Sequence, residues 1–256
     1  MKIVREPRVY LVGRQQVDAA ALDQFLRDHE LSWTADTEVG AEVLCEAAGR
    51  LCYMSFGQGR RTNAEYLDNI LSSAHGSVLE HAVWNVLITG VSRSFTHELV
   101  RHRAGFGYSQ LSQRYVDEST ADFVEPDCIA ADAELHAVWQ AAVEQSHAAY
   151  CRLVDALQER FKDEPDRTLR RKLARQAARS VLPNATETKI FVTGNGRAWR
   201  HFIEMRANEH AEVEIRRVAV QILRLLQAES PALFRDYELA RLPDGSEVVR
   251  TQYRKV

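Results

Sequence analysis

The residues best suited to chemistry lie between positions 98 and 115. Arg101-His102-Arg103 is followed by AGFGYSQLSQRY (104–115), which combines glycines with Ser109, Gln110, Ser112, Gln113 and Arg114. Guanidinium groups bind phosphate or carboxylate through a planar fork. Hydroxyls, amides and glycine-freed backbone N–H groups add partners for phosphate and for a pyrimidine edge. On a helix each residue advances about 100°, so Arg101 and Arg103 would point to nearly opposite sides with His102 between them. Glu98 lies one turn earlier, where it can orient Arg101. The plain alternative is a helix end whose basic residues complement its dipole.

Two further segments carry candidates. Arg171, Arg175 and Arg179 recur every four residues and form one basic stripe. A solvated face is the expectation for Arg171 and Arg175, whereas Arg179 adjoins Val181-Leu182 and is a candidate ligand. In NGRAWRHFIEMR (195–206), Asn195 is a good N-cap and the helix start attracts anions. Its spacing turns Trp199, Phe202 and Met205 toward a core and ends on Arg206. His201 and His210 read equally well as structural histidines.

Several familiar signatures fail on spacing. His97 and His102 sit at i and i+5, whereas the zinc protease motif needs i and i+4, so no metal site is assigned. The pairs Gly57/Gly59 and Gly194/Gly196 lack the third glycine of a dinucleotide loop, and there is no GxxxxGK[ST] loop. Cys45, Cys52, Cys128 and Cys151 form no CxxC pair and read as reduced thiols. The formal net charge of −3 argues against a nucleic-acid coat. An RNA-binding module built on the arginine stripe would also lack an aromatic stacking platform. No long apolar run predicts a signal peptide or membrane span, so a cytoplasmic protein is expected.

The elements that must position these residues follow from periodicity. Residues 7–13, 81–91 and 186–193 read as strands. Residues 18–29, 38–53, 63–75, 93–103, 131–162, 165–182, 196–206 and 211–228 read as helices, and 56–62 and 104–115 as loops. The expected core stripes are Leu44, Ala47, Ala48 and Leu51 on one helix, and Leu135, Val138, Ala142, Tyr150, Leu153 and Leu157 on another. HGSVLEH (75–81) reads as a polar turn entering a strand, and Pro243-Asp244-Gly245 as the turn of a hairpin. Strands and helices mix without βαβ alternation, which predicts an α+β fold in one domain spanning 1–256.

Taken together, HGSVLEH (75–81), SRSFTHELVRHR (92–103), YSQLSQRY (108–115), ARSVLPNATETK (178–189) and NGRAWRHFIEMRANEHAEVEI (195–215) resemble the flavin-dependent thymidylate synthases. The resemblance implies an α+β domain with a central mixed or antiparallel sheet flanked by long helices. It also implies a homotetramer with active sites at subunit interfaces, FAD as cofactor, and methylene-tetrahydrofolate and NADPH as co-substrates. By the same resemblance Ser77, Arg101, His102, Arg103, Gln110, Asn195, Gly196, Arg197 and His201 contact the flavin. Glu98, Arg101, Gln110, Leu111, Ser112, Gln113, Arg114, Arg179 and Arg206 contact the nucleotide, and His75 lines the folate side. Arg206 is the implied catalytic group, since a fixed guanidinium can stabilise charge on the uracil ring without titrating. Ser112 has no histidine–carboxylate pair beside it in sequence, so it is assigned to binding.

One departure stands out. Eight residues separate Arg103 from Ser112, one more than the family's usual spacing. Ala104-Gly105-Phe106-Gly107 holds the extra residue, and glycines can absorb a bulge. Relatives in nucleoside-antibiotic pathways methylate UMP as well as dUMP. The longer loop leads to the expectation that UMP is accepted beside dUMP, against strict dUMP specificity.

Overall fold

Alternating side chains around Val9 and Leu11 fold as a strand, as their period of two requires. The computed structural model describes residues 1–254 and 256. In chain order they form β1 (Ile3–Val4), β2 (Arg8–Arg14), α1 (Ala19–Asp28), α2 (Gly40–Tyr53), α3 (Asn63–Ser72), β3 (Val83–Ser92), α4 (Arg93–Leu99) and β4 (Phe106–Gln110). Next come β5 (Phe123–Val124), α5 (Asp127–Ala130), α6 (Ala133–Arg160), α7 (Arg167–Ala178) and β6 (Glu187–Asn195). The chain finishes with α8 (Gly196–Arg206), α9 (Val213–Glu229), α10 (Pro231–Phe234), β7 (Tyr237–Arg241) and β8 (Glu247–Thr251). One sheet has the order β2-β3-β6-β4, β1 pairs parallel with β5, and β7 pairs antiparallel with β8. This is the mixed α+β class that the sequence pattern predicts.

Contacts divide the chain into two units, and the backbone passes repeatedly from one to the other. The first comprises residues 1–8, 88–100 and 109–190. Ser92 starts α4 by accepting the Phe95 N–H at 3.0 Å, and Asp132 and Asp166 cap α6 and α7 in the same way. Its core has Phe123 packed with Ala121 and Val143, and a second cluster of Tyr150, Val154 and Ala178. Val143, Tyr150 and Val154 therefore form the buried face of α6, whereas Leu135, Val138 and Leu153 remain exposed. The apolar stripe expected on this helix is largely its open side, because periodicity marks a face without saying what covers it.

The second unit comprises residues 9–87, 101–108 and 191–256. Its core gathers Leu67 and Leu71 of α3, Trp199 and Phe202 of α8, and Ile215, Ile222 and Leu226 of α9. Helix α2 again corrects the expected register. Its buried side carries Glu42, Cys45, Glu46, Gly49 and Arg50, while Leu51 is exposed. The buried charges are matched. Arg50 Nε donates to Glu46 Oε1 at 2.7 Å, and its other nitrogens donate to the carbonyls of Ser55, Gln58 and Arg60. Asn63 Nδ2 donates to Glu46 Oε2 at 2.8 Å, and Glu42 accepts from Ser230 Oγ and Ala232 N. This hydrogen-bonded polar network, in which Asn63 Oδ1 is left without a partner, fills core positions that hydrophobicity alone would leave outside. The Pro243-Asp244-Gly245 turn joins β7 to β8 as expected, with Gly245 at φ +82°.

Near the candidate residues, three local expectations change. The helix predicted over 93–103 ends at Leu99, so Arg101-His102-Arg103 follows the helix instead of closing it. Residues 106–110 form a strand within the segment expected to be a loop. The polar turn at 76–81 is a 3-10 helix. Among the described residues no helix is long and apolar enough to cross a membrane.

Candidate functional site

In the second unit, the turn after α4 is pinned to α8. Asn195 caps α8 by accepting the Ala198 N–H at 2.8 Å, and its own N–H donates to the Gly105 carbonyl at 3.1 Å. Gly105 sits at φ +75°, and a Cβ there would lie 2.7 Å from Asn195 Nδ2 and 2.8 Å from Ala198 Cβ. Gly105 thus occupies a left-handed turn that only glycine fits. Phe106 sets its ring edge-on to buried Trp199, with centroids 4.9 Å apart. At the far end of the helix, Arg206 Nε donates to His102 Nε2 at 2.9 Å. Burial, reinforced by Arg206 and His201, pushes the His102 pKa down to about 4, so the ring is neutral and can accept at neutral pH. Phe202 is buried as predicted, but Met205 is exposed, because α8 turns it away from that core.

Arg101, Arg103 and His201 are exposed, and neither arginine pairs with a carboxylate of the described residues. Arg197 donates to Glu80 at 2.8 Å and lies over Gly76, whose absent side chain leaves room for the guanidinium. Ser77 and His75 are exposed at the neighbouring 3-10 helix. The Gly196 N–H is already satisfied by the Ala82 carbonyl, which closes one of the donors that the helix start was expected to offer. Two uncommitted arginines, a hydroxyl and a neutral imidazole suit a dinucleotide with an anionic diphosphate and a polar ring system. The residues present therefore fit FAD by donor chemistry.

In the first unit, the remaining candidates line one stretch. The Leu111 N–H donates to the Lys189 carbonyl at 2.9 Å, fixing the end of β4. Gln110 Nε2 donates to Thr96 Oγ1 at 3.0 Å and more weakly to Thr188 Oγ1, which leaves its carbonyl oxygen for a ligand. Ser112 Oγ accepts the Arg114 N–H at 3.3 Å. Gln113 is buried with Nε2 unpartnered, and Arg114 Nε is likewise buried without a partner. Orphaned buried donors are costly in a finished structure and mark positions where an acceptor is missing. Arg179 lies in a 3-10 turn and is exposed, and Glu98 on α4 is half-buried with a polar or charged contact of its own. Arg175 departs from the solvated face expected of it. It donates to the Tyr115 carbonyl and to Asp117 Oδ2, both at 2.7 Å, which breaks the uniform arginine stripe.

None of these residues lines the cavity of about 650 Å³ in the second unit, which is walled by Trp33, Trp84, Leu22 and Glu229. The cysteines are free, and burial pushes the Cys45 thiol up to about 12, an inert group. Among the described residues no three His, Cys, Asp or Glu side chains are grouped to hold a metal. Sequence reasoning missed Tyr108, whose hydroxyl donates to the His102 carbonyl. The alternation Phe106-Tyr108-Gln110 was the available sign of a strand there.

Residues 35–232 match the family model described as "Thymidylate synthase complementing protein". The chain belongs to that family. The flavin-dependent thymidylate synthase of Mycobacterium marinum is 52% identical over 236 residues, covering 91% of this chain and 94% of that protein. That of Mycobacterium tuberculosis matches to the same extent. The crystal structure of the UMP/dUMP methylase PolB from Streptomyces cacaoi, bound with 5-Br dUMP, shares the fold. Its TM-score is 0.67 at 19% identity, covering 92% of this chain and 96% of that one. Membership makes the chain an enzyme of the flavin-dependent thymidylate synthase, methyltransferase type.

Within this family member, Gly105 and Gly107 should respond differently to the same change. Gly105→Ala should cost about 1–2 kcal/mol for its left-handed backbone alone, and more for the clash with Asn195. Gly107→Ala should be close to neutral, since a Cβ there meets only Thr193 Cβ at 3.9 Å. Chemical denaturation of both variants checks this, and equal stabilities would refute the anchoring of the turn.

Proposed function

We propose that the chain transfers a one-carbon unit from methylene-tetrahydrofolate to C5 of the uracil in a nucleoside 5′-monophosphate, with FAD bound and NADPH as reductant. The observation that carries this reading is the placement of Arg206. Its guanidinium is held at a neutral His102, on a segment whose flanking Arg101 and Arg103 are uncommitted. Uracil C5 is a weak nucleophile, and a fixed cation near N3 and O4 stabilises the charge that makes it attack. Bound flavin supplies the redox chemistry that no side chain can. Arg101, His102, Arg103, Arg197, Ser77, Asn195, Gly196, His201 and Gln110 would hold it. Glu98, Gln110, Leu111, Ser112, Gln113, Arg114 and Arg179 would hold the nucleotide, and the unpartnered Gln113 and Arg114 nitrogens support that assignment. Ser112 binds and does not form a covalent bond.

We place the active sites at interfaces of a homotetramer in the cytoplasm. Several candidates, among them Arg101, Arg103, Ser77 and Arg179, are exposed, and Leu51, Tyr53, Leu135 and Val138 are large apolar side chains left exposed for another copy to cover. The purified protein should be yellow, release FAD on denaturation, and convert dUMP with methylene-tetrahydrofolate and NADPH. A colourless protein that binds no added FAD would refute the reading.

Sugar specificity has two readings. The longer 104–111 segment favours acceptance of UMP beside dUMP. Strict dUMP specificity is favoured by the turn at Gly105, which is held against Asn195 before the chain reaches Ser112. Side-by-side turnover of the two nucleotides decides between them.

A further inference from the structure

We infer that His102 is a positioning residue for Arg206: its Nε2 accepts the Arg206 Nε–H and so sets the plane in which the guanidinium meets its ligand. The inference rests on the proposed function for what that ligand is, but the geometry stands without it.

A guanidinium is planar, so fixing its Nε–H also fixes the direction of its two terminal nitrogens. Arg206 is the last residue of α8, and a long side chain there loses rotamer freedom when its guanidinium is held. His102 can serve as a fixed acceptor because it is itself clamped. Its ring stands edge-on to Phe202, with centroids 5.2 Å apart, and tilted to His201 at 5.8 Å. Its backbone carbonyl accepts from the Tyr108 hydroxyl. The Tyr108 ring stacks on Phe106 at an interplanar angle of 23°, and Phe106 meets buried Trp199 edge-on. Trp199, Phe202 and Arg206 all belong to α8. Residues 102–108 thus form a clip laid on that helix, with its aromatic end at Trp199 and its imidazole end at Arg206.

The contact also dictates a tautomer. Nε2 can accept only if the ring is neutral with its proton on Nδ1. Burial, then Arg206 and His201 on α8, favour the neutral ring; Arg101 and Arg103 flank it on its own segment. Tyr108 and His102 therefore act together, one holding the backbone and the other aiming the cation.

Two variants of the flavin-loaded enzyme separate aiming from packing. His102→Gln keeps an acceptor at similar reach, and His102→Phe keeps the ring but removes the acceptor. The glutamine variant should retain turnover within about tenfold, whereas the phenylalanine variant should lose about 10- to 100-fold in kcat. The double variant with Arg206→Ala should be no slower than Arg206→Ala alone, because the two residues act as one unit. Equal losses in Gln and Phe, or losses that multiply in the double variant, would overturn the inference. A readout independent of turnover is the ¹⁵N spectrum of the imidazole, which should show the Nδ1-protonated tautomer in the wild type and a mixture in Arg206→Ala. A wild-type ring protonated on Nε2 would overturn the inference. Failure of the wild type to turn over any uracil nucleotide would instead overturn the proposed function, leaving the tautomer to decide the role of His102.

Discussion

Arg206→Ala is expected to lower the turnover of uracil nucleotide by about a hundredfold to a thousandfold, the usual range for removing a charge-stabilising donor. The variant should still bind FAD. Arg101, Arg103, Arg197 and Asn195 are untouched by the change, and Arg206 lies at the opposite end of α8 from Asn195. The loss should fall on kcat more than on KM, since the guanidinium matters most where charge develops on the ring. Steady-state kinetics on protein with a measured flavin content provides the check. Near-normal kcat would remove Arg206 from the chemistry and leave it as a helix-end cation.

Asp236→Ala should have the largest effect on stability, about 3–5 kcal/mol, as expected when one partner of a buried ion pair is removed. Arg200 is 1% exposed, and its side chain donates to both Asp236 oxygens at 2.7 and 2.8 Å. It also donates to the Leu233 carbonyl at 2.6 Å and lies over the Tyr237 ring at 4.7 Å. Burial would lower the Arg200 pKa, but Asp236 outweighs it and the side chain stays charged. Without that carboxylate, the charge is left in the core with carbonyls, one ring face and the more distant Glu204 for company. Urea denaturation of the variant measures the cost. Arg200→Met with Asp236→Leu should recover part of it, because removing both charges removes the unmatched one. A single-variant cost below about 1 kcal/mol would contradict this account. Arg200 and Arg206 share α8, so partial unfolding there should also weaken the site.

Much of this was legible where one residue type has one physical use. Asn195 reads as a cap and caps α8, and Pro243-Asp244-Gly245 turns a hairpin; of the two serines that could start α4, Ser92 and Ser94, it is Ser92 that does. Arginine was harder to read, because it serves both ligands and cores. Arg50, Arg175 and Arg200 are committed to carboxylates and carbonyls inside the protein, whereas Arg101 and Arg103 are uncommitted. Spacing alone does not distinguish the two uses. The faces of α2 and α6 were misassigned for a related reason. On α2 the buried side is polar but internally matched, and on α6 the richer apolar stripe has no cover within the chain. The triplet 101–103 was placed on a helix because Gly105 and Gly107 read as its end. The turn at Gly105 and its docking onto Asn195 are tertiary facts that local propensity does not contain.

The repeated passage of the backbone between the two units bears on how the protein is made. The first unit needs residues from 1 to 190, since β1 pairs with β5 more than a hundred residues later. The second cannot close until residues 191–256 have been synthesised, although its residues 9–87 emerge early. During translation Leu67 and Leu71 therefore wait without α10, and Val78 and Leu79 without α8, to pack against them. The nascent chain carries a sticky half-core for most of its synthesis, a natural client for chaperones that shield apolar surface. For the same reason no single cut divides the gene product into two fragments that each hold a complete unit.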